Sequence, residues 1–174
     1  MTNLLESYSK HEDFIKSYWQ TRLPEVDDLS AMYLGLAEEV GEYQAEIEKE
    51  TIDYEEVKSE MSDILFYMTG ILIELHKKDY KLTFEDIMNR DNLGISSEAA
   101  MYELPKNVFK MLSMYNKSIR KRKPMDEEIL SNVMYAAYNC IANVTECSLS
   151  DILDYNVEKL SGRDVSGQNG TVAQ

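Results

Sequence analysis

The sequence has few residues that interrupt helices and few that form disulfides. Its 174 residues include three prolines, seven glycines and two cysteines. So few helix breakers favour long helices over many short strands. Two cysteines, Cys140 and Cys147, are too few for a disulfide framework and do not form a Cys-x-x-Cys metal pair. A disulfide-rich secreted domain and a cysteine-based zinc site are therefore excluded.

Long apolar segments are also missing. No run of eighteen uninterrupted apolar residues occurs, so no membrane span is expected. The first residues, "MTNLLESYSKHEDF", carry no basic segment followed by an apolar core, so no signal peptide is expected. We therefore expect a cytoplasmic protein in a reducing compartment.

Basic residues are outnumbered, with 18 Lys and Arg against 32 Asp and Glu, which gives a formal net charge of −14. Such a charge repels a polyanion, so nucleic-acid binding is not expected. Hydrophobic residues make up 44% of the chain and charged residues 29%, as is typical of a soluble globular protein. If the substrate is anionic, the charge favours a divalent cation as an essential cofactor.

Apolar residues recur at helical spacing and predict an all-α fold. A first helix covers about 4–20 and is ended by Pro24; a second begins near Asp27 and runs to about 50. A third runs from about Tyr54 to His76, and Thr83 is a candidate N-cap for a short helix. Further helices are predicted at about 97–120, at 126–146 and from Ser148 onwards.

The expected organisation is one helical-bundle domain over 1–163, with a flexible tail at 164–174. Two degenerate repeats, 1–94 and 97–163, are an alternative, since "LTFEDIMNRDN" in the first half resembles "CSLSDILDYNV" in the second. Helical periodicity alone could also produce this likeness. We expect a homodimer or a larger homo-oligomer, because short helical units bury an exposed apolar edge symmetrically. A chain of two fused repeats could instead suffice as a monomer.

Four carboxylates are predicted to meet at the edge of the core. Glu39 and Glu42 lie on one flank of the second helix, and Glu60 and Asp63 lie at the same offset on the third. Four converging carboxylates repel each other unless a cation neutralises them, and such hard oxygen ligands suit Mg²⁺ or Mn²⁺. Glu46 is a further candidate ligand. The alternative is an ordinary solvated acidic face, which a chain this acidic also produces by chance.

The same carboxylates carry a resemblance to a known family. "EEVGE" (38–42) followed by "EMSD" (60–63) resembles the EExxE…ExxD signature of MazG-like enzymes, which belong with the dimeric dUTPases to the all-α nucleoside triphosphate pyrophosphohydrolases. "NVEKLSGR" (156–163) resembles the C-terminal motif of that family. The resemblance implies a helical bundle and Mg²⁺-dependent hydrolysis of a (deoxy)nucleoside triphosphate to monophosphate and pyrophosphate by a metal-activated water. An inactive helical scaffold and a phosphoribosyl-ATP pyrophosphohydrolase are the alternatives.

The resemblance also assigns roles to residues. Glu39, Glu42, Glu60 and Asp63 would bind Mg²⁺, and Glu38 would support them, form an ion pair or take part in catalysis. The remaining matches concern the substrate. Asn156 would contact the nucleotide, and Lys159 would contact a phosphate. Tyr67 would contact the sugar or base, or else be a tyrosine at the edge of the core, and Arg163 would contact a further phosphate or only provide the positive charge at the end of its helix.

One departure from the family pattern affects these assignments. About ninety residues separate Asp63 from Asn156, whereas minimal members place the C-terminal motif soon after the acidic pair. Asn156 therefore serves either the acidic site of the first half or a position across from it. The basic turn "SIRKRK" is either solvated or provides cations to the substrate's phosphates. In the second case the candidate residues are Lys110, Lys117, Arg120 and Lys121.

From repulsion alone, neutralising Asp63 is expected to leave the metal-free fold as stable or more stable.

Overall fold

The structure is a computed structural model that describes residues 2–19, 27–90, 94–144 and 147–167, with the backbone alone at 2 and 163–167. The described residues contain no β-strand, which confirms the all-α prediction. Their seven helices are α1 (Thr2–Tyr18), α2 (Asp28–Ile47), α3 (Tyr54–Lys77), α4 (Phe84–Met88), α5 (Ser97–Lys121), α6 (Glu127–Val144) and α7 (Leu149–Gly167).

Side-chain caps fix where several helices begin. The carboxylate of Asp27 accepts the backbone N–H of Ser30 at 3.2 Å and starts α2. Asp53 does the same at the start of α3, and the predicted N-cap Thr83 does so for α4. Each cap satisfies at least one of the backbone donors that the first helical turn leaves without a partner, and Asp53 satisfies two. The predicted starts of α2 and α4 are thereby confirmed.

Two pairs of consecutive helices, α2 with α3 and α5 with α6, form the largest packing contacts of the described residues. Helix α2 also packs on α5, and α1 packs on both α3 and α7. The predicted apolar stripes of α2 and α3 are buried, and Leu36, Val40 and Ile64 are fully inaccessible. Because these stripes face each other, the flanks beside them lie at the same edge of the core.

The ends of two helices differ from the sequence-based boundaries. Helix α1 ends at Tyr18, before Pro24, which lies outside the described residues. Helix α7 continues to Gly167, beyond the predicted domain end at 163, and the rest of the predicted tail lies outside the described residues. The two-repeat organisation stays a prediction.

None of the helices in the described part of the chain is both long and apolar enough to cross a membrane.

Candidate metal centre and active site

Three of the four predicted carboxylates form one cluster, the acidic trio of Glu39, Glu42 and Glu60. One carboxylate oxygen from each residue lies within 4.8 Å of the other two. Glu39 and Glu42 come from one flank of α2, three residues apart, and Glu60 comes from the facing flank of α3. Helical periodicity thus places them together, as predicted from their spacing.

The surroundings of the trio make its negative charge costly. Burial, together with Asp63, Glu42, Glu60 and Glu38, raises the pKa of Glu39 to about 7. Burial and the neighbouring carboxylates also raise the pKa of Glu60. The Oε2 atom of Glu60 is buried and has no hydrogen-bond partner. A divalent cation would supply this oxygen with a partner and offset the repulsion, so the donor set fits a hard cation such as Mg²⁺.

Asp63, the fourth predicted ligand, lies beside the trio and is held by two side chains of α7. Its Oδ1 accepts a hydrogen bond from the side-chain amide of Asn156 at 3.1 Å. Its Oδ2 forms an ion pair with Lys159, and the ammonium of Lys159 also donates to Ser59 Oγ at 2.7 Å. Asn156 and Lys159 therefore contact the acidic site of the first half of the chain. Each oxygen of Asp63 still has a lone pair free to meet a cation.

An aromatic cleft of about 220 Å³ adjoins the carboxylates. It is lined by Tyr18, Trp19, Glu39, Asp63, Phe66, Tyr67 and Leu160. The rings of Phe66 and Tyr67 meet edge to face, with centroids 5.3 Å apart, and Trp19 meets Tyr67 in the same manner at 6.4 Å. Such a cleft is smaller than typical small-molecule pockets.

A glycine of α2 makes room for one wall of the aromatic cleft. Gly35 packs directly against the ring of Tyr67, and a Cβ atom at this position would overlap the ring. Gly41, two turns further along α2, has no atom near the corresponding position. Within the sequence "GLAEEVG", the close contact with Tyr67 therefore requires a glycine at position 35, whereas no contact requires one at position 41.

A larger cleft of about 550 Å³ opens between α1, α2 and α3. It shares Trp19 with the aromatic cleft, but its lining contains none of the acidic trio. The larger cleft therefore does not adjoin the candidate metal centre.

The other candidate residues occupy different positions. Glu38 is exposed, and it takes part in none of the ion pairs described for residues 2–162. Glu46 is buried and paired with Lys49, so it lies outside the trio. Tyr67 is half-buried, and burial with the nearby Glu39 raises its pKa to about 12. The side chain of Arg163 lies outside the described residues. The predicted roles of these residues in binding or catalysis stay predictions.

Sequence reasoning did not single out His11 or the aromatic wall. His11 is fully buried on α1 and contacts Asn156 and Thr69. Its spacing from the buried residues Tyr8 and Ile15 marks it as part of the core face, but no motif includes it. From the sequence alone, the aromatic residues that line the cleft can be identified only as members of apolar stripes.

Comparison with known proteins agrees with this geometry. Residues 28–91 match the family model of the MazG nucleotide pyrophosphohydrolase domain. The match confirms the MazG-like resemblance, and it includes all members of the acidic trio as well as Asp63. Over residues 28–91 the chain is thus similar to the MazG nucleotide pyrophosphohydrolase domain. No match was found among curated proteins or among solved structures.

Proposed function

We propose that this protein is a Mg²⁺-dependent hydrolase that converts a (deoxy)nucleoside triphosphate into the monophosphate and pyrophosphate. The observation that carries the proposal is the acidic trio, whose three carboxylate oxygens lie within 4.8 Å of one another inside the MazG-like region. Exposed acidic faces are common, but this one includes a buried carboxylate oxygen without a partner. A purely solvated face does not require such an atom.

The residues that would hold the cation are Glu39, Glu42, Glu60 and Asp63, and Mn²⁺ fits the same oxygen ligands. Mg²⁺ bound there would neutralise phosphate charge and activate a water molecule. Before a cation binds, burial and the neighbouring carboxylates raise the pKa of Glu39 to about 7. A bound cation would lower this pKa again, because it favours the charged carboxylate.

The aromatic cleft would hold the sugar or base of the substrate. It shares Glu39 and Asp63 with the candidate metal centre, so a nucleoside in the cleft would place its phosphates beside the carboxylates. Aromatic walls favour a planar base through dispersion and ring contacts. They also keep water away from one side of the site. Tyr67, whose pKa the nearby Glu39 helps to raise, forms part of this wall.

The decisive experiment is a hydrolysis screen with the full chain. Canonical and modified nucleoside triphosphates and phosphoribosyl-ATP are incubated with Mg²⁺ in H₂¹⁸O, and the products are identified by chromatography and mass spectrometry. We expect a monophosphate and pyrophosphate, with ¹⁸O in the monophosphate if the water attacks the α-phosphorus. Release of orthophosphate instead of pyrophosphate would contradict the proposed reaction, whereas ¹⁸O only in pyrophosphate would show that the water attacks the β-phosphorus.

Glu60→Gln is the matched variant because it keeps side-chain size and removes a charge from the trio. It should lose turnover while remaining folded, as judged by circular dichroism. Wild-type protein that hydrolyses none of the triphosphates, with or without Mg²⁺ or Mn²⁺, would favour the inactive-scaffold alternative. Hydrolysis of phosphoribosyl-ATP alone would favour the second alternative.

A further inference from the structure

A chain of buried hydrogen bonds joins α1 to the candidate metal centre. Nε2 of His11 lies 3.0 Å from Oδ1 of Asn156, and Nδ2 of Asn156 lies 3.1 Å from Oδ1 of Asp63. On its other side, Nδ1 of His11 lies 3.1 Å from the hydroxyl of Thr69. His11, Thr69 and Asn156 are all fully buried.

The chemistry of the groups fixes the direction of every hydrogen bond. A carboxylate only accepts, so the NH₂ group of Asn156 must face Asp63, and its oxygen must face His11. Because an amide oxygen also only accepts, Nε2 of His11 must carry the proton. Nδ1 is then the acceptor for the hydroxyl of Thr69. The second N–H of Asn156 is used as well, since Nδ2 lies 3.2 Å from Ser62 Oγ.

This arrangement requires a neutral histidine. Burial lowers the pKa of His11 to about 4, against the opposing influence of Asn156 and of Asp154 on α7. The ring therefore stays uncharged at neutral pH and keeps one tautomer. If Asn156 rotated its amide by half a turn, oxygen would meet the Asp63 carboxylate and NH₂ would meet the N–H of His11. Both contacts would be repulsive while Nε2 carries the proton, so His11 opposes this rotation.

We propose that His11 is a positioning residue: by fixing the amide of Asn156, it fixes the Asp63 carboxylate beside the acidic trio. The inference rests on the proposed metal-dependent function and extends it to a residue outside the MazG-like match. Asn156 supplies one donor to Asp63 Oδ1 while Lys159 holds Oδ2. With both oxygens anchored, the carboxylate keeps one orientation before a cation arrives. Outer partners of this kind typically change metal affinity by about 10- to 100-fold.

The test measures Mg²⁺ binding by calorimetric titration of the full chain, without nucleotide. His11→Leu removes the donor to Asn156 and should weaken Mg²⁺ binding by about 10- to 100-fold. His11→Gln should restore much of the affinity, because its amide N–H can reach Asn156. Thr69→Val is the matched control, since it removes a buried hydrogen bond to the same ring and leaves the link to Asn156 intact. It should bind Mg²⁺ as the wild type does.

Equal affinities for His11→Leu and Thr69→Val would overturn the positioning role, whether both are weak or both are normal. A wild-type chain that binds no Mg²⁺ would overturn the proposed metal centre, and the positioning role with it. Wild-type binding that is unchanged in His11→Leu would overturn the positioning role alone.

A spectroscopic measurement decides the matter if His11→Leu does not fold. The chain has two histidines, so ¹⁵N-histidine spectra of the wild type and of His76→Gln assign the His11 signals. We expect a protonated Nε2, an unprotonated Nδ1, and a shift of the Nε2–H resonance when Mg²⁺ is added. The opposite tautomer, an imidazolium at neutral pH, or a His11 resonance that does not respond to Mg²⁺ would overturn the proposal.

Discussion

The side-chain amide of Asn156 donates a hydrogen bond to Oδ1 of Asp63 at 3.1 Å, although the two residues are 93 positions apart in the sequence. One turn later on the same helix, Lys159 forms an ion pair with the other carboxylate oxygen. Asp63 therefore belongs both to the candidate metal centre and to the contact that holds α7 against α3. A substitution at Asp63 must affect both.

Asp63→Asn is expected to abolish turnover and to destabilise the metal-free protein by about 1–3 kcal/mol. The side chain of Lys159 is only 11% exposed, so it would lose its counter-charge in a poorly solvated position. Repulsion among the carboxylates alone would predict that neutralising Asp63 leaves stability unchanged or higher. The loss of this ion pair predicts the opposite result. Urea unfolding without metal measures the change in free energy. Wild-type hydrolysis by Asp63→Asn would show that this carboxylate is not required.

Glu60→Gln is expected to behave differently, because Oε2 of Glu60 has no hydrogen-bond partner to lose. The metal-free variant should be as stable as the wild type or more stable. Mg²⁺ at 100 times its Kd should stabilise the wild type by about 2.7 kcal/mol, or roughly 5–10 °C in Tm for a domain of this size. The variant should lose most of that shift.

Glu50→Gln provides the control for this measurement, since Glu50 is an exposed acidic residue outside the trio. It should keep the full Mg²⁺-dependent rise in Tm. A wild-type melting curve that saturating Mg²⁺ does not move would contradict the metal centre.

Two glycines of α2 should respond oppositely to alanine. Gly35→Ala would push the ring of Tyr67 out of its place in the aromatic cleft, so stability should fall and the KM for nucleotide should rise. Gly41→Ala meets open space and should stabilise α2 by about 0.5–1 kcal/mol. Thermal unfolding and steady-state kinetics measure both effects. Equal changes in stability would show that the ring of Tyr67 does not pack on Gly35.

The stability gained by Glu39→Gln should depend on pH. The pKa of Glu39 rises from 4.5 to about 7 on folding, mainly through burial and then through Asp63, Glu42, Glu60 and Glu38. The folded state thus binds this proton more tightly, and its stabilising effect is present below pH 4.5 and is lost as pH rises through about 7. The difference in unfolding free energy between variant and wild type should therefore grow over this range and then level off.

His11 also makes the free energy of unfolding depend on pH, with the opposite sign to Glu39. This contribution cancels when Glu39→Gln is compared with the wild type, because both proteins contain His11. The pKa of His11 is lowered from 6.5 to about 4, so its contribution to stability is present above pH 6.5 and is lost as pH falls through about 4. For Glu39, a proton also competes with Mg²⁺, so the affinity of the wild type for Mg²⁺ should decline below about pH 7. A flat difference between pH 4.5 and 7 would contradict the raised pKa.

The chain is expected to form a homodimer or a larger oligomer. Tyr102 and Phe109 lie two turns apart on α5, and both are about half exposed. Dimers in solution bury apolar surface of this kind. Light scattering at roughly tens of micromolar protein would measure the oligomeric state. A strict monomer would favour the alternative in which the two halves of one chain replace two subunits.

Much of this architecture was readable from the sequence, because it depends on local spacing. The facing apolar stripes of α2 and α3 and the caps at Asp27 and Thr83 follow from helical periodicity and short-range hydrogen bonding. The meeting of Glu39 and Glu60 follows from the same periodicity once the stripes face each other.

The rest depends on contacts between distant parts of the chain. His11 meets Thr69 and Asn156 across 58 and 145 residues, and no spacing rule relates such positions. The pairing of Lys159 with Asp63 has the same origin. The family motif indicated that Asn156 and Lys159 belong to the site, but their contacts with Asp63 appear only in the packed helices.

The position of α7 has a consequence for how the protein is made. Ribosomes synthesise α1, α2 and α3 first, yet Asn156, which contacts both His11 and Asp63, lies on the last described helix. During translation the carboxylates of Asp63 and its neighbours are thus present without Asn156 and Lys159. Joining segments so far apart is entropically costly and comes late in folding. A nascent chain therefore carries an unfinished, strongly anionic surface until its final helix docks, and the appearance of Mg²⁺ binding should report the last step of folding.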